Sequence, residues 1–331
     1  MAKRHEPKSG HKTPKEKNLT AALHPNGHSH DIHGLWPALL IPVLADGALD
    51  TRRAIAHAQR MLAAGCDGVT LFGTTGEGPA FTLAERKGLL EAMLANGIMP
   101  DQCLVTNTAM ALQDSIEIGR HARRFGVHRQ MVMPPFYFNQ PRDAGVCEAV
   151  SQVITGIDDP QLLLMLYHFP AMSTYGFSDA AVAQLVKRHP GQVVGIKDSA
   201  GSLEHALGLA KAFPQLCIFT GSEGHVGQVM VAGGSGSING LTNIAPKLMR
   251  RVVSAPAAVS DADTQLIASL LALLSIRPNM NFVCSYKTML AEQLGDDAWL
   301  NVRAPLCHLD ADEDQAIRQA YRAIGAALDN I

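Results

Sequence analysis

Eight short runs rich in aliphatic and β-branched residues recur along this chain, and each is followed by a stretch with helical apolar spacing. No other feature limits the possible folds so strongly. The runs read LWPALLIPV, DGVTLFG, CLVTN, RQMVMPP, QLLLMLY, VVGIK, LCIFTG and GSGSING. Their near-continuous hydrophobicity suits parallel strands covered on both faces, because a sheet with one wet face alternates apolar and polar residues. The segments between them carry helix punctuation. Thr82-Leu-Ala-Glu85 reads as a capping box, Ser178 and Ser202 as N-caps, and Gly65, Gly97 and Gly126 stand where helices should stop. Eight such units predict an α/β fold, a (β/α)8 TIM barrel, in preference to a doubly wound sheet with fewer strands. Beyond Pro256 the strand signal ends, and three helices are expected near residues 260–275, 281–294 and 311–328 as a C-terminal three-helix appendage. The expected division is a tail at 1–34, a barrel at 35–256 and a helical extension at 257–331.

With 331 residues, 47% hydrophobic and 18% charged, the chain can bury a large core, and no apolar stretch approaches the roughly 20 residues of a membrane span. Net charge is −2, but the first 20 residues hold six Lys/Arg and two Asp/Glu, so that end is +4 and the remainder −6. A basic footprint for nucleic acid is therefore absent from the folded part. Cys66, Cys103, Cys147, Cys217, Cys284 and Cys307 are scattered without a C-x-x-C pair, and no secretory segment opens the chain, which points to reduced thiols in the cytoplasm. The tail is rich in Lys, His, Pro and Gly and lacks apolar periodicity, so it reads as disordered. Its His28, His30 and His33 fit either a solvated tail or a transition-metal site, and no function is assigned to it.

In such a barrel the reactive groups come from the C-terminal ends of strands and the loops after them. Those ends read GTTGEG, PPFYF, YHFP, KDSAG, TGSEG and INGLTN. Lys197 closes the sixth strand with its amine at the mouth. Desolvation there disfavours the ammonium form and frees the amine to attack a carbonyl as a Schiff-base nucleophile; the alternative is a strand-end lysine paired with Asp198. Tyr167, one strand away, offers a phenol that moves protons, or else packs as a half-buried ring. Gly73 and Gly76 let the backbone approach a ligand, and the amides and hydroxyls of Thr74 and Thr75 suit a small carboxylate, although many such turns only reverse the chain. No Gly-Lys-Ser/Thr follows, so the turn is not a phosphate loop.

GLWPALLIPVLADGALD, GVTLFGTTGEGPAFTLAER, PPFYFNQP, YHFPAMS, GIKDSAG and GSGSINGLTNIAP stand together in one order and spacing. From about Leu35 to the C-terminus the chain thereby resembles the pyruvate-dependent class I aldolases, a family that includes dihydrodipicolinate synthase, N-acetylneuraminate lyase and 2-keto-3-deoxygluconate aldolase. The resemblance implies that Lys197 forms an imine with pyruvate or another 2-keto acid, and that a C–C bond breaks or forms through the enamine with no metal or cofactor. It also implies that Tyr167 is the acid/base, that Thr74 links it to a second tyrosine, and that Thr75 adds a hydroxyl to the carboxylate site. Tyr137 matches a tyrosine that relatives insert from a neighbouring subunit, which implies a homotetramer built from dimers. By the same likeness Ile238 and Gly221 line the keto-acid pocket, Ser199 contacts a sugar chain, and Glu223 keeps part of an acidic pair.

Dihydrodipicolinate synthases bind the carboxylate of their aldehyde through an arginine at the position of Met172, and a thioether cannot pair with a carboxylate. Arg142, in the preceding loop, is the candidate substitute. Gly240 stands where neuraminate lyases resemble one another in carrying a serine. The first choice is therefore a shorter polyhydroxylated 2-keto acid such as 2-keto-3-deoxygluconate, cleaved to pyruvate and an aldehyde. The alternatives are 4-hydroxy-tetrahydrodipicolinate synthase, N-acetylneuraminate lyase and a hydro-lyase of the family; Asn139, His168 and Phe169 give the mouth a more aromatic lining than a sugar needs, with His168 read as a packing residue. A reading of another class, a non-catalytic keto-acid-binding paralogue, is opposed by the presence of both Lys197 and Tyr167.

Overall fold

A computed structural model describes residues 32–276 and 281–329. Its strands are β1 Gly34–Pro37, β2 Val69–Leu71, β3 Cys103–Asn107, β4 Arg129–Val132, β5 Leu163–His168, β6 Val193–Asp198, β7 Cys217–Thr220 and β8 Gly236–Asn239. All pair in parallel in the order β1-β8-β7-β6-β5-β4-β3-β2. The ring closes where Ala38 bridges Thr70 and the Leu39 N–H donates to the Thr70 carbonyl at 3.0 Å. This is the expected TIM barrel. The first run is less regular than its composition suggests, because Pro37 and Pro42 bring no N–H to a ladder and pairing lapses after β1.

Outside the barrel lie α1 Thr51–Ala63, α2 Leu83–Ala95, α3 Leu112–Arg124, α4 Asp143–Ile157, the single turn α5 Pro170–Ser173, α6 Asp179–Arg188, α7 Leu203–Ala212, α8 Val226–Val231 and α9 Pro246–Ser254. Their ends obey the punctuation. Thr82 and Glu85 form a reciprocal capping box, the Ser178 and Ser202 side chains accept from the N–H groups of Ala181 and His205, and Gly65, Gly97 and Gly126 have positive φ just past a helix. Three further helices follow, α10 Asp261–Ala272, α11 Phe282–Leu294 and α12 Ala311–Asp329. They share the main core: Val283, Tyr286 and Met289 of α11 and Ile317 of α12 are buried in the same cluster as Leu39, Leu40 and Leu248. A smaller cluster fills the barrel itself, with Trp36, Leu104, Met131, Met165, Phe219 and Ile238 interdigitating inside the ring.

Ile32 is buried and Gly34 already pairs with β8, so the barrel begins before the boundary at residue 35 that the sequence suggested. The physical reason is closure: the Gly34 N–H donates to the Ser235 carbonyl at 2.8 Å, and the Leu35 N–H to Asp67 at 2.7 Å. His28 and His30 lie outside the described residues, as does most of the tail. Among the described residues no helix is long and apolar enough to cross a membrane, and all six cysteines are free.

Candidate active site

Tyr167 and Lys197 are register partners on β5 and β6. A register shift at Leu164/Met165 lets Gly195, not Val194, oppose Met165, and this irregularity sets the alignment of the two strand ends. Gly195 is needed there because a Cβ would come within 2.5 Å of the Cys217 carbonyl. Both side chains point into the ring, where Tyr167 is 1% and Lys197 4% exposed, with Nζ 4.2 Å from the centre of the phenol ring. Asp198, one residue on, faces the other side of the sheet. Its carboxylate lies 3.1 Å from His205 on α7, so the pairing of Lys197 with Asp198 considered from sequence does not occur.

The GTTGEG loop reaches the same place from β2. Thr74 Oγ1 and the Tyr167 hydroxyl are 3.1 Å apart and share a hydrogen bond. Thr75 is buried and lines the cavity beside it. Gly73 does not line the cavity; its carbonyl accepts from the Gly78 N–H at 3.0 Å, so it shapes the turn. The turn is sharp enough that Phe72 and Glu77 both take positive φ, at 58° and 52°. Glu77 holds this conformation through an ion pair with Lys287 of α11, both side chains being almost wholly buried, and through the Arg303 N–H at 3.1 Å. Neither Glu77 nor Lys287 was singled out from the sequence.

The cavity measures about 200 Å³. Tyr167, Lys197, Ser199, Gly221, Glu223 and Ile238 all line it, as do Thr74 and Thr75. A side chain at Gly221 would meet Ser199 Oγ at 2.3 Å and Lys197 Cε at 3.2 Å, which explains the glycine beside the lysine. The far wall comes from outside the strand ends: Leu274, Phe282 and Tyr286 close it from the C-terminal segment. Glu223 Oε1 accepts from the Tyr286 hydroxyl at 2.9 Å and from the N–H groups of Gly240 and Leu241 at 3.1 Å each. Burial, and then the Glu223 carboxylate, push the Tyr286 phenol well above its ordinary pKa, so it stays a neutral donor. Gly240 is required by the same ring, because a Cβ there would sit 2.4 Å from Tyr286 Cε2.

Other expected residues fall elsewhere. Phe169 lines the cavity, but His168 turns away from it, buried behind β5, where its Nδ1 accepts from the Phe177 N–H at 3.1 Å. Tyr137 is 77% exposed and packs edge-on to Phe138, with ring centres 5.4 Å apart, outside the cavity of its own chain. Met172 is exposed on α5, and Arg142 caps α4; neither lines the cavity, where Lys197 is the sole cation among the described residues.

A parallel barrel with a buried lysine and a hydrogen-bonded tyrosine lining a cavity at its mouth has the layout of a barrel enzyme. Residues 31–324 match the dihydrodipicolinate synthetase family, and the chain belongs to it. It is accordingly a carbon–carbon lyase of the pyruvate-dependent aldolase kind. An uncharacterized DapA-like lyase of Chloroflexus aurantiacus is 31% identical over 300 residues, 88% of this chain and 97% of that protein. The crystal structure of dihydrodipicolinate synthase from Agrobacterium tumefaciens superposes with a TM-score of 0.82 at 30% identity, covering 88% of this chain and 99% of that one. A variant of 2-keto-3-deoxygluconate aldolase from Sulfolobus solfataricus gives a TM-score of 0.79 at 17% identity over 90% and 98% of the two chains, a likeness of fold.

Proposed function

We propose that this enzyme joins Lys197 to a 2-keto acid as an imine and cleaves a 2-keto-3-deoxy sugar acid to pyruvate and a hydroxyaldehyde. One observation carries the reading: a buried amine 4.2 Å from the ring of a tyrosine whose hydroxyl is hydrogen-bonded to Thr74. The unprotonated amine attacks the keto carbon, Tyr167 returns a proton to the carbinolamine oxygen, and water leaves. The resulting iminium takes up the electron pair of the C3–C4 bond as the C4 hydroxyl gives its proton to Tyr167. The aldehyde departs and an enamine remains. Protonation at C3 and hydrolysis then release pyruvate and regenerate the amine.

The cavity supports the hydroxyaldehyde half. Ser199, Ser222 and Glu223 offer hydrogen bonds to hydroxyls, and a second carboxylate deep in the site would find no cation but Lys197. The rival reading, 4-hydroxy-tetrahydrodipicolinate synthase, is favoured by the 30% identity to the Agrobacterium enzyme. A panel of 2-keto-3-deoxy acids, assayed by released pyruvate and run beside condensation of pyruvate with aspartate semialdehyde, separates the two. The expected result is cleavage of a deoxy sugar acid with at least a hundredfold preference over the semialdehyde reaction, on the order of the discrimination a missing charged partner gives. Efficient semialdehyde condensation overturns the substrate assignment.

Tyr137 enters this reading as a residue donated across a dimer interface to the partner's Thr74–Tyr167 chain. Its exposure in the single chain, beside an exposed Phe138, suits burial by a second copy. Tyr137→Phe is expected to lower kcat by about 10- to 100-fold. Mixing that variant with inactive Lys197→Met chains under subunit exchange should recover activity, because each hybrid dimer contains one site with both groups intact. No recovery in verified hybrids sinks the shared-site assignment.

A further inference from the structure

Back to back with the Lys197–Tyr167 pair, on the outer face of the same two strands, sits a second pair of register partners, His168 and Asp198. His205 in the first turn of α7 completes a cluster whose three potential ligand atoms lie within 4.8 Å of one another. The cluster is buried: Asp198 is 2% and His168 8% exposed. The imidazoles of His168 and His205 stack with centres 4.5 Å apart and planes 27° off parallel. The spacing is that of a metal triad, but the chemistry is not. The Phe177 N–H occupies Nδ1 of His168, which leaves the ring proton on Nε2, the atom that would have to ligate. Stacked rings also aim their lone pairs side by side instead of at one point.

Asp198 is tied to the active site through the backbone. One oxygen accepts from the Ala200 N–H at 3.1 Å and so forms the turn that carries Ser199 into the cavity. Its carbonyl accepts from the Gly221 N–H at 2.7 Å, and the His168 carbonyl from the Ser199 N–H at 2.8 Å. The tips of β5, β6 and β7 are thus joined at this level. Its charge is balanced by little. His205 Nδ1 lies 3.1 Å from Oδ1 but off the hydrogen-bonding direction, and burial lowers the pKa of His168, which keeps that ring neutral. The groups facing the cluster are His168 from β5, His205 from α7 and Asp179 from the first turn of α6.

We propose that Asp198 is an electrostatic positioning residue for the imine, its buried carboxylate favouring the cationic iminium on the adjacent Lys197. The inference rests on the imine reading above. Low local dielectric makes a fixed charge one residue away effective where a solvated one is not.

The two substitutions then differ in effect. Asp198→Asn keeps an oxygen for the Ala200 N–H and removes only the charge, and kcat is expected to fall about tenfold with the KM for pyruvate nearly unmoved. Its reductive trapping by borohydride with pyruvate slows by the same factor. Asp198→Ala, which also loses the turn, falls further. His205→Gln leaves the Asp198 charge in place, so kcat and the trapping rate stay within about threefold of the parent. A purely structural cluster would depress both variants alike. Absence of trapping in the parent enzyme overturns the imine reading itself. Trapping in the parent together with parental kcat and trapping rate in Asp198→Asn, both proteins melting alike, overturns this inference alone. Stoichiometric metal in the purified parent, lost in His205→Gln, overturns it in favour of a metal site.

Discussion

Lys197→Met is expected to abolish turnover: kcat/KM should fall on the order of 10⁴- to 10⁶-fold, the loss that follows when a covalent nucleophile is removed. Methionine approximates the buried stem of the lysine and leaves the packing against Tyr167 largely intact, so the protein should stay folded. Borohydride with pyruvate adds the mass of one reduced keto acid to the parent chain, on the peptide containing Lys197, and nothing to the variant. Tyr167→Phe gives the complementary result. Its lysine is present, so the adduct still forms, but slowly, and turnover drops about 10²- to 10⁴-fold because the proton carrier hydrogen-bonded to Thr74 is gone. An adduct on the parent at any residue other than Lys197, or full activity in Lys197→Met, eliminates the imine mechanism.

The residues on these two strands were legible because barrel geometry is severe. Once eight parallel strands are inferred, a polar residue that ends an apolar run must emerge at one mouth, and strand alternation puts Lys197 inside and Asp198 outside without reference to any partner. The helix caps were equally readable, since Thr82, Ser178 and Ser202 act on N–H groups three residues away and need no tertiary context. The far wall of the cavity was hidden. Leu274, Phe282 and Tyr286 belong to a segment with ordinary helical spacing, and nothing local says that it folds across the mouth. A weak trace existed at Gly240, where serine was expected; the glycine makes room for Tyr286. Glu223 was read as part of an acidic pair at the mouth; that one of its oxygens is also held by Tyr286 and two backbone N–H groups is visible only once the C-terminal helices are in place. GTTGEG was read toward a ligand with a plain chain reversal as the alternative, and both hold in part: Thr74 and Thr75 line the cavity while Gly73, Glu77 and Gly78 serve the turn itself.

That hidden half of the turn carries the second large effect. Lys287 donates to Glu77 and, at 2.8 Å, to the Asn301 carbonyl, inside a region from which water is excluded. Burial lowers the Lys287 pKa and the Glu77 carboxylate opposes that shift in part, so the pair persists because each ion is the other's solvent. Lys287→Met leaves Glu77 buried without a counter-ion, held only by the Arg303 N–H, which costs about 3–5 kcal/mol and lowers Tm by roughly 10 °C. Glu77 also sits at positive φ, and without its partner the loop loses the contact that holds that conformation, so the KM for the keto acid rises as Thr74 and Thr75 lose their fixed positions. The double variant Glu77→Gln with Lys287→Met removes both charges and recovers at least half of the lost stability, a coupling that a simple loss of packing cannot produce. The strut has an acid-labile end as well: Arg303, which binds the Glu77 carboxylate through its N–H, holds the Glu85 carboxyl down to about 2. A carboxylate with a depressed folded-state pKa stabilises above the unfolded value near 4.5, and that contribution fades as pH falls from there toward 2. Thermal melts between pH 7 and pH 3 should therefore show a steeper acid loss in the parent than in Glu85→Gln, and a Lys287→Met protein that melts within about 2 °C of the parent would remove the strut from the account of how the carboxylate loop is held.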